Sequence, residues 1–138
     1  QSQICSGACS VAQAAAAAAL NGPQDDVRRF CAAFEERRNL VVERISQIDG
    51  LTLDPPGVLY GLIGCADLIG AQTTDGNTLS DDAEIIAYIL KDVGIAAVSG
   101  SAYELSPFFC IFTAALMDVL DQAMDRIATS VAKLKRKT

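Results

Sequence analysis

The chain has 138 residues, 51% hydrophobic and 20% charged, with 17 acidic against 11 basic side chains and a formal charge of −6. Those proportions exclude a disordered tail, a collagen and a multi-domain enzyme, and a chain of this length buries roughly two thirds of its unfolded surface without needing disulfides. The acidic balance repels phosphate backbones, so no nucleic acid is expected as a partner, and the absence of His removes the commonest general base and transition-metal ligand, so no metal is expected.

Ser10 to Leu20 holds six consecutive alanines, Ala14 to Ala19, closed by Asn21-Gly22-Pro23. Alanine has the highest helix propensity and proline cannot continue the turn, which predicts a short helix with a small-residue surface. From Gln24 to Asp49, Val27, Phe30, Phe34, Val41, Ile45 and Ile48 recur at helical steps between charged clusters. That spacing predicts a long amphipathic helix, about 39 Å at roughly 1.5 Å per residue, with Glu35-Glu36-Arg37-Arg38 on its solvated face.

Leu51-Thr52-Leu53 alternates briefly, and after Pro55-Pro56-Gly57 the run Val58 to Ile63 is expected to be a strand. Asp67 to Leu79, with the turn signal Thr74-Asp75-Gly76-Asn77, is expected to be a surface loop. Ser80 is the expected N-cap of a helix ending at Lys91-Asp92-Val93-Gly94, with Ile85, Ile86, Ile89 and Leu90 inward. Ile95 to Val98 and Phe108 to Phe112 follow as strands, and a last helix runs from Ala115 to Lys135. Strands that do not alternate one-for-one with helices predict an α+β two-layer domain: a small mixed or antiparallel sheet with helices packed on one face. The expected organisation is a single domain over 1–138, with a helical segment at 1–50 and an α+β core at 51–138.

The cysteines, at 5, 9, 31, 65 and 110, form no Cys-x-x-Cys pair and there is no signal-like start, so reduced thiols in the cytoplasm are expected. Cys5 and Cys9 at i,i+4 could meet on one helix face, but without His or close Cys pairs a metal site is disfavoured. Cys110 sits among apolar strand residues with no imidazole to activate it, which argues against a nucleophile. Asp25-Asp26 and Asp81-Asp82 fall at helix starts, and Asp118, Asp121 and Asp125 on the polar side of the last helix, where dipole and solvation effects account for them. The mostly apolar stretches Val11 to Leu20 and Leu105 to Met117 are shorter than the ~20 residues of a bilayer span, so no membrane is expected.

Several segments together resemble the C-terminal, small domain of class I aminotransferases. Leu79-Ser80-Asp81-Asp82, Ile89-Leu90 and Val93-Gly94-Ile95-Ala96-Ala97-Val98-Ser99-Gly100-Ser101-Ala102-Tyr103 follow that family's helix, strand and small-residue turn in order. Cys9-Ser10-Val11-Ala12-Gln13 with Ala18 and Leu20-Asn21-Gly22-Pro23, Phe34-Glu35-Glu36-Arg37-Arg38-Asn39-Leu40-Val41, Pro56-Gly57-Val58-Leu59-Tyr60 and Phe109-Cys110-Ile111-Phe112-Thr113-Ala114 are similar to further family segments.

The resemblance implies a pyridoxal phosphate enzyme whose Schiff-base lysine, pyridine-nitrogen aspartate and most phosphate ligands lie upstream of the matched region. It also implies altered positions inside it. The family's substrate-carboxylate arginine, between Phe and Ile, is here Cys110; its Ser-Asn-Pro is Ser6-Gly7-Ala8; and the Gly after Ser-Ala-Phe is Glu104. The implied reading has no catalytic, cofactor-binding, substrate-binding or metal residue, no cofactor and no enzyme activity. It is an isolated, truncated or redesigned aminotransferase small domain serving as a structural scaffold. Three alternatives stay open: a module that self-associates through the face a large domain would cover, a part of a transaminase, and a small-molecule binder built near Tyr60, Tyr103 and Cys110.

Overall fold

The computed structural model describes residues 7–53 and 59–136. The expected strand start at Val58, the Pro55-Pro56-Gly57 turn, Cys5 and Ser6 lie outside the described residues. The elements are α1 (Ser10–Asn21), α2 (Asp25–Ser46), β1 (Thr52–Leu53), β2 (Tyr60–Gly64), α3 (Asp82–Val93), β3 (Val98–Ser99), β4 (Phe108–Phe112) and α4 (Met117–Ala132), with single 3₁₀ turns at Ala66–Leu68 and Gly100–Tyr103. The chain groups into two compact units, Gln1–Ala33 and Phe34–Thr138.

In the first unit, α1 is the expected alanine helix and buries no residue. Its end is held by side chains in place of an αL cap: Asn21 Nδ2 donates to Ala17 O at 2.8 Å and Gln24 Nε2 to Ala19 O at 2.9 Å. Val27 and Phe30, expected on the inward stripe of α2, are 53% and 57% exposed. The stripe is a core face only from Val41 onward, because no described side chain before Phe34 is buried and short alanine side chains supply no apolar volume to pack against.

The second unit contains the sheet, in the order β1-β2-β4-β3 with every pair antiparallel. Residues alternate between faces along each strand. Gly61 opposes Ile111 and Ile63 opposes Phe109, and these face the core with Val41 and Ile45 of α2, Ile85 and Ile89 of α3, and Leu120, Met124 and Ile127 of α4. Tyr60 opposes Phe112 and Leu62 opposes Cys110 on the other face, where Tyr60 and Phe112 are exposed and Leu62 and Cys110 half-buried. The α+β class with helices against one sheet face therefore stands, and the sheet is wholly antiparallel. Gly61 leaves room beneath the sheet: a β-carbon there would meet the side chains of Ile111, Leu53 and Val41.

Several boundaries differ from expectation, among them the last helix, expected over Ala115 to Lys135 and found at Met117–Ala132. The stretch 95–98 forms a ladder only at its end, Val98 pairing with Cys110 and Ser99 with Phe109, because the chain turns directly into the 3₁₀ segment at Gly100. A β-carbon at Gly100 would lie 2.2 Å from Leu105 O and 2.6 Å from Phe108 O, so this crossing accepts only glycine. The connection at 67–79 is exposed at its turn, 74–78, as expected of a surface loop, but is anchored in the core elsewhere. Leu68, Ala71, Thr73 and Leu79 are buried, and Gln72 exchanges two backbone hydrogen bonds of 2.9 Å with Lys135. Backbone pairing to the end of the chain satisfies polar groups that burial would otherwise strand.

The N-cap of α3 is Asp81 and not Ser80. Asp81 Oδ1 accepts from Glu84 N–H at 2.8 Å while the Glu84 carboxylate accepts from Ser80 N–H at 2.6 Å, a reciprocal arrangement one residue later than the sequence suggests. At the other end, Gly94 takes φ +71 and its N–H caps Leu90 O. Ion pairs tie the elements of this unit at the surface: Arg44 with Asp121 and Asp125, Lys133 with Asp92, and Arg136 with Asp49. Asp121 and Asp125, expected as solvated carboxylates, are ion-paired to Arg44.

Asp82, the first residue of α3, is fully buried. Its Oδ2 accepts from Ser101 N–H at 2.9 Å and its Oδ1 from Ser106 Oγ at 2.6 Å. Burial acts to raise the pKa, but the hydrogen bonds from Ser106 and Ser101 outweigh it and hold the carboxyl below its ordinary range. A depressed folded-state pKa gives stability that is present above the ordinary carboxylate range and lost as pH falls through the folded value. Asp82→Asn should therefore lower stability by about 2 kcal/mol at pH 7 and lose less than the parent as pH falls from 5 to 3. Urea unfolding at both pH values measures this, and an equal stability gap at pH 7 and pH 3 would contradict it.

Candidate functional site

The outward face of the sheet is the place where this chain gathers chemistry. Because Cys110 pairs with Leu62 on one side and Val98 on the other, the three side chains form a row across β2, β4 and β3. One pair along, Tyr60 and Phe112 set their rings 5.4 Å apart at an interplanar angle of 47°, the tilted geometry that aromatic pairs favour. Tyr103 and Leu105, from the segment after β3, complete an open groove of about 460 Å³ over this face.

The described residues lining the groove carry no charge. Every lining residue is apolar, a tyrosine or Cys110, and burial pushes the Cys110 thiol above its ordinary pKa, so it stays protonated at neutral pH. A thiol offers one weak donor where a guanidinium presents a charged fork that grips a carboxylate through two parallel bonds. A phosphate or carboxylate placed here would meet no cationic side chain among the described lining residues. The described residues of this groove therefore do not fit pyridoxal phosphate or an anionic substrate.

Tyr60, Tyr103 and Cys110, singled out in the sequence, are brought together here. Leu62, Val98, Leu105 and Phe112 were missed as groove residues, although the alternation in 60–64 and 108–112 becomes diagnostic once the pairing register is known. Glu104, which follows Tyr103, takes a left-handed φ of +59. Glycine occupies that region without penalty, and a side chain there costs about 1 kcal/mol. The expected pattern Ser6-Gly7-Ala8 is described only at Gly7 and Ala8, both exposed.

A second concavity of about 640 Å³ lies between the 73–79 turn and α3. Its charged groups have structural partners: Asp92 is bonded by Lys133 at 2.8 Å, Lys91 lies 3.9 Å from Asp75, and Glu84 caps Ser80. Among the described residues no cluster of His, Cys, Asp and Glu could hold a metal ion. Nor is any helix among them long and apolar enough to cross a membrane.

The fold and the groove define an α+β domain with one covered and one open sheet face, and comparison with known proteins places it. The family described as "Aminotransferase class I and II" matches residues 1–127. Aspartate aminotransferase of Rhizobium meliloti is 43% identical over 135 residues, covering 97% of this chain and 33% of that protein. The aspartate/prephenate aminotransferase of Cereibacter sphaeroides is 38% identical, covering 97% and 34% respectively. The crystal structure of the aspartate aminotransferase from Rhizobium meliloti superimposes with a TM-score of 0.85 at 42% identity, over 89% of this chain and 31% of that one. An alanine aminotransferase from Pyrococcus furiosus, at 22% identity and a TM-score of 0.70 over 83% of this chain and 28% of that one, shares the fold. The chain belongs to the class I and II aminotransferase family, and it spans about a third of the length of the curated relatives it matches.

The four described cysteines occupy distinct environments. Cys9 and Cys31 are exposed, and the N–H groups of Ala12 and Val11 at the start of α1 lower the Cys9 pKa. Cys65 is buried, donates to Pro107 O at 3.3 Å, and is pushed up to about 11 by burial and by the nearby Asp82 charge. Alkylation at pH 8 followed by peptide mapping should label Cys9 first, Cys110 at least about tenfold more slowly, and Cys65 only on unfolding. Cys65 reacting as fast as Cys110 in the folded protein would contradict this placement.

Proposed function

We propose that this chain is the small, C-terminal domain of an aminotransferase-like protein and that it performs no transamination, serving as a structural unit of the fold. The observation that carries the reading is Cys110. It stands at the centre of the open sheet face, where the family resemblance puts a carboxylate-gripping arginine, and every described side chain lining the groove around it is uncharged. Two charge-assisted hydrogen bonds to a carboxylate are worth on the order of 3 kcal/mol, about a hundredfold in substrate binding, and a thiol cannot replace them. The packed face of the sheet, in contrast, retains a full apolar core.

The reading is tested by adding pyridoxal phosphate, L-aspartate and 2-oxoglutarate to the chain and following the cofactor spectrum and amino-group transfer. The expected result is the spectrum of free cofactor and no transfer above the protein-free rate. Turnover that is lost in Cys110→Ala would overturn the proposal.

A further inference from the structure

The connection between β3 and β4 is tied to α3 by a single side chain. Ser101 to Ser106 are exposed, and none of their side chains belongs to the packed core. Their backbone turns close on themselves: Glu104 N–H donates to Ser101 O at 3.2 Å and Leu105 N–H to Gly100 O at 2.9 Å. The two feet of the connection belong to the sheet. Ser99 pairs with Phe109, and Pro107 O accepts from Cys65 N–H at 3.0 Å and from the Cys65 thiol at 3.3 Å.

Between those feet Asp82 supplies the tie. Its Oδ2 accepts from Ser101 N–H and its Oδ1 from Ser106 Oγ, so one carboxylate holds the first and the last residue of the exposed span. Hydrogen bonds to a charged acceptor are among the strongest a protein makes. Asp82 is fully buried while the span bonded to it is exposed, so on that side one layer of chain separates the carboxylate from solvent. Opposing the tie is Glu104, whose left-handed φ of +59 is strain that opening would relieve. Segments with little buried apolar surface open locally at a lower free energy than global unfolding. Here such an opening breaks the two Asp82 bonds and leaves Phe109, Ile85 and Ile89 packed.

We propose that residues 101–106 form a strap latched by Asp82, which opens and closes as a unit while the sheet and the helices stay folded. Tyr103 and Leu105 move with it, so the latch sets the shape of that rim of the open sheet face. Both latch bonds are internal to residues 82–106, so a covering partner would add to the latch and not replace it.

Amide hydrogen exchange of this chain, resolved by NMR over urea concentrations well below the unfolding midpoint, is the test. The Ser101 and Leu105 amides should be protected at least about tenfold less than those of Ile89 and Ile127, and their protection should be flat in urea because local opening exposes little surface. Protection of the core amides should fall steeply as urea rises, and Cys65 N–H, bonded to a fixed foot, should follow them. Ser106→Ala should lower Ser101 and Leu105 protection by about tenfold or more, still flat in urea, and Ser106→Thr should restore it. Ile127→Val, which loosens the core, should lower core protection by about severalfold and leave the strap unchanged.

Strap amides with the steep urea dependence of the core would overturn the proposal, as would strap protection that falls with Ile127→Val, since the strap would then open only when the domain unfolds. Strap amides with no protection in the parent chain, or protection unchanged in Ser106→Ala, would remove Asp82 as a latch. If Ser106→Ala does not fold, the parental urea series and Ile127→Val still decide between the strap and global unfolding.

Discussion

The antiparallel register that sets Ile63 against Phe109 and Gly61 against Ile111 is the constraint on which the larger unit depends. Because side chains alternate strictly along a strand, the register that buries these four places Tyr60, Leu62, Cys110 and Phe112 on the opposite face. A slip of one residue would drive Cys110 and the aromatic pair into the helices and expose Phe109, which is fully buried. Burial of Phe109, Ile63, Ile85, Ile89 and Ile127, at roughly 1.5–3 kcal/mol for each side chain, enforces the register. The identity of the open face is thus decided by packing on the other side of the sheet.

Asp82 joins that core to the segment which borders the groove. One carboxylate at the start of α3 receives Ser101 N–H and Ser106 Oγ, and between those residues the chain carries Tyr103 and Leu105 to the groove rim. The close crossing at Gly100 and the left-handed Glu104 shape the same segment. Helix capping, turn geometry and groove wall are therefore one connected piece of structure, held by a buried charge that is stabilised by hydrogen bonds and placed in the first turn of a helix.

Much of this was legible in the sequence because it rests on local chemistry. The alanine run and Asn21-Gly22-Pro23 bounded α1, the β-branched and aromatic run 108–112 marked β4, and Gly94 ended α3 where a left-handed cap was needed. Non-local partners were not legible. The 67–79 connection reads as a loop because its polar turn residues dominate, and its burial depends on pairing Gln72 with Lys135, far along the chain. Asp82 reads as a helix-dipole carboxylate, and only its encounter with Ser101 and Ser106 reveals an anchor. In the groove, Tyr60, Tyr103 and Cys110 stood out by residue type. Leu62 and Val98 acquire meaning only as cross-strand neighbours of Cys110.

The sheet keeps a packed apolar face, and the described residues of its open face carry no charge, which supports the proposed loss of a carboxylate grip there. An amide-resolved NMR titration with succinate, read at residues 60–64 and 108–112, addresses this most directly. The account predicts no saturable shift at these amides up to high millimolar succinate, beyond the general effect of ionic strength. A saturable shift centred on Leu62 and Cys110 would show a carboxylate site on this face and contradict it.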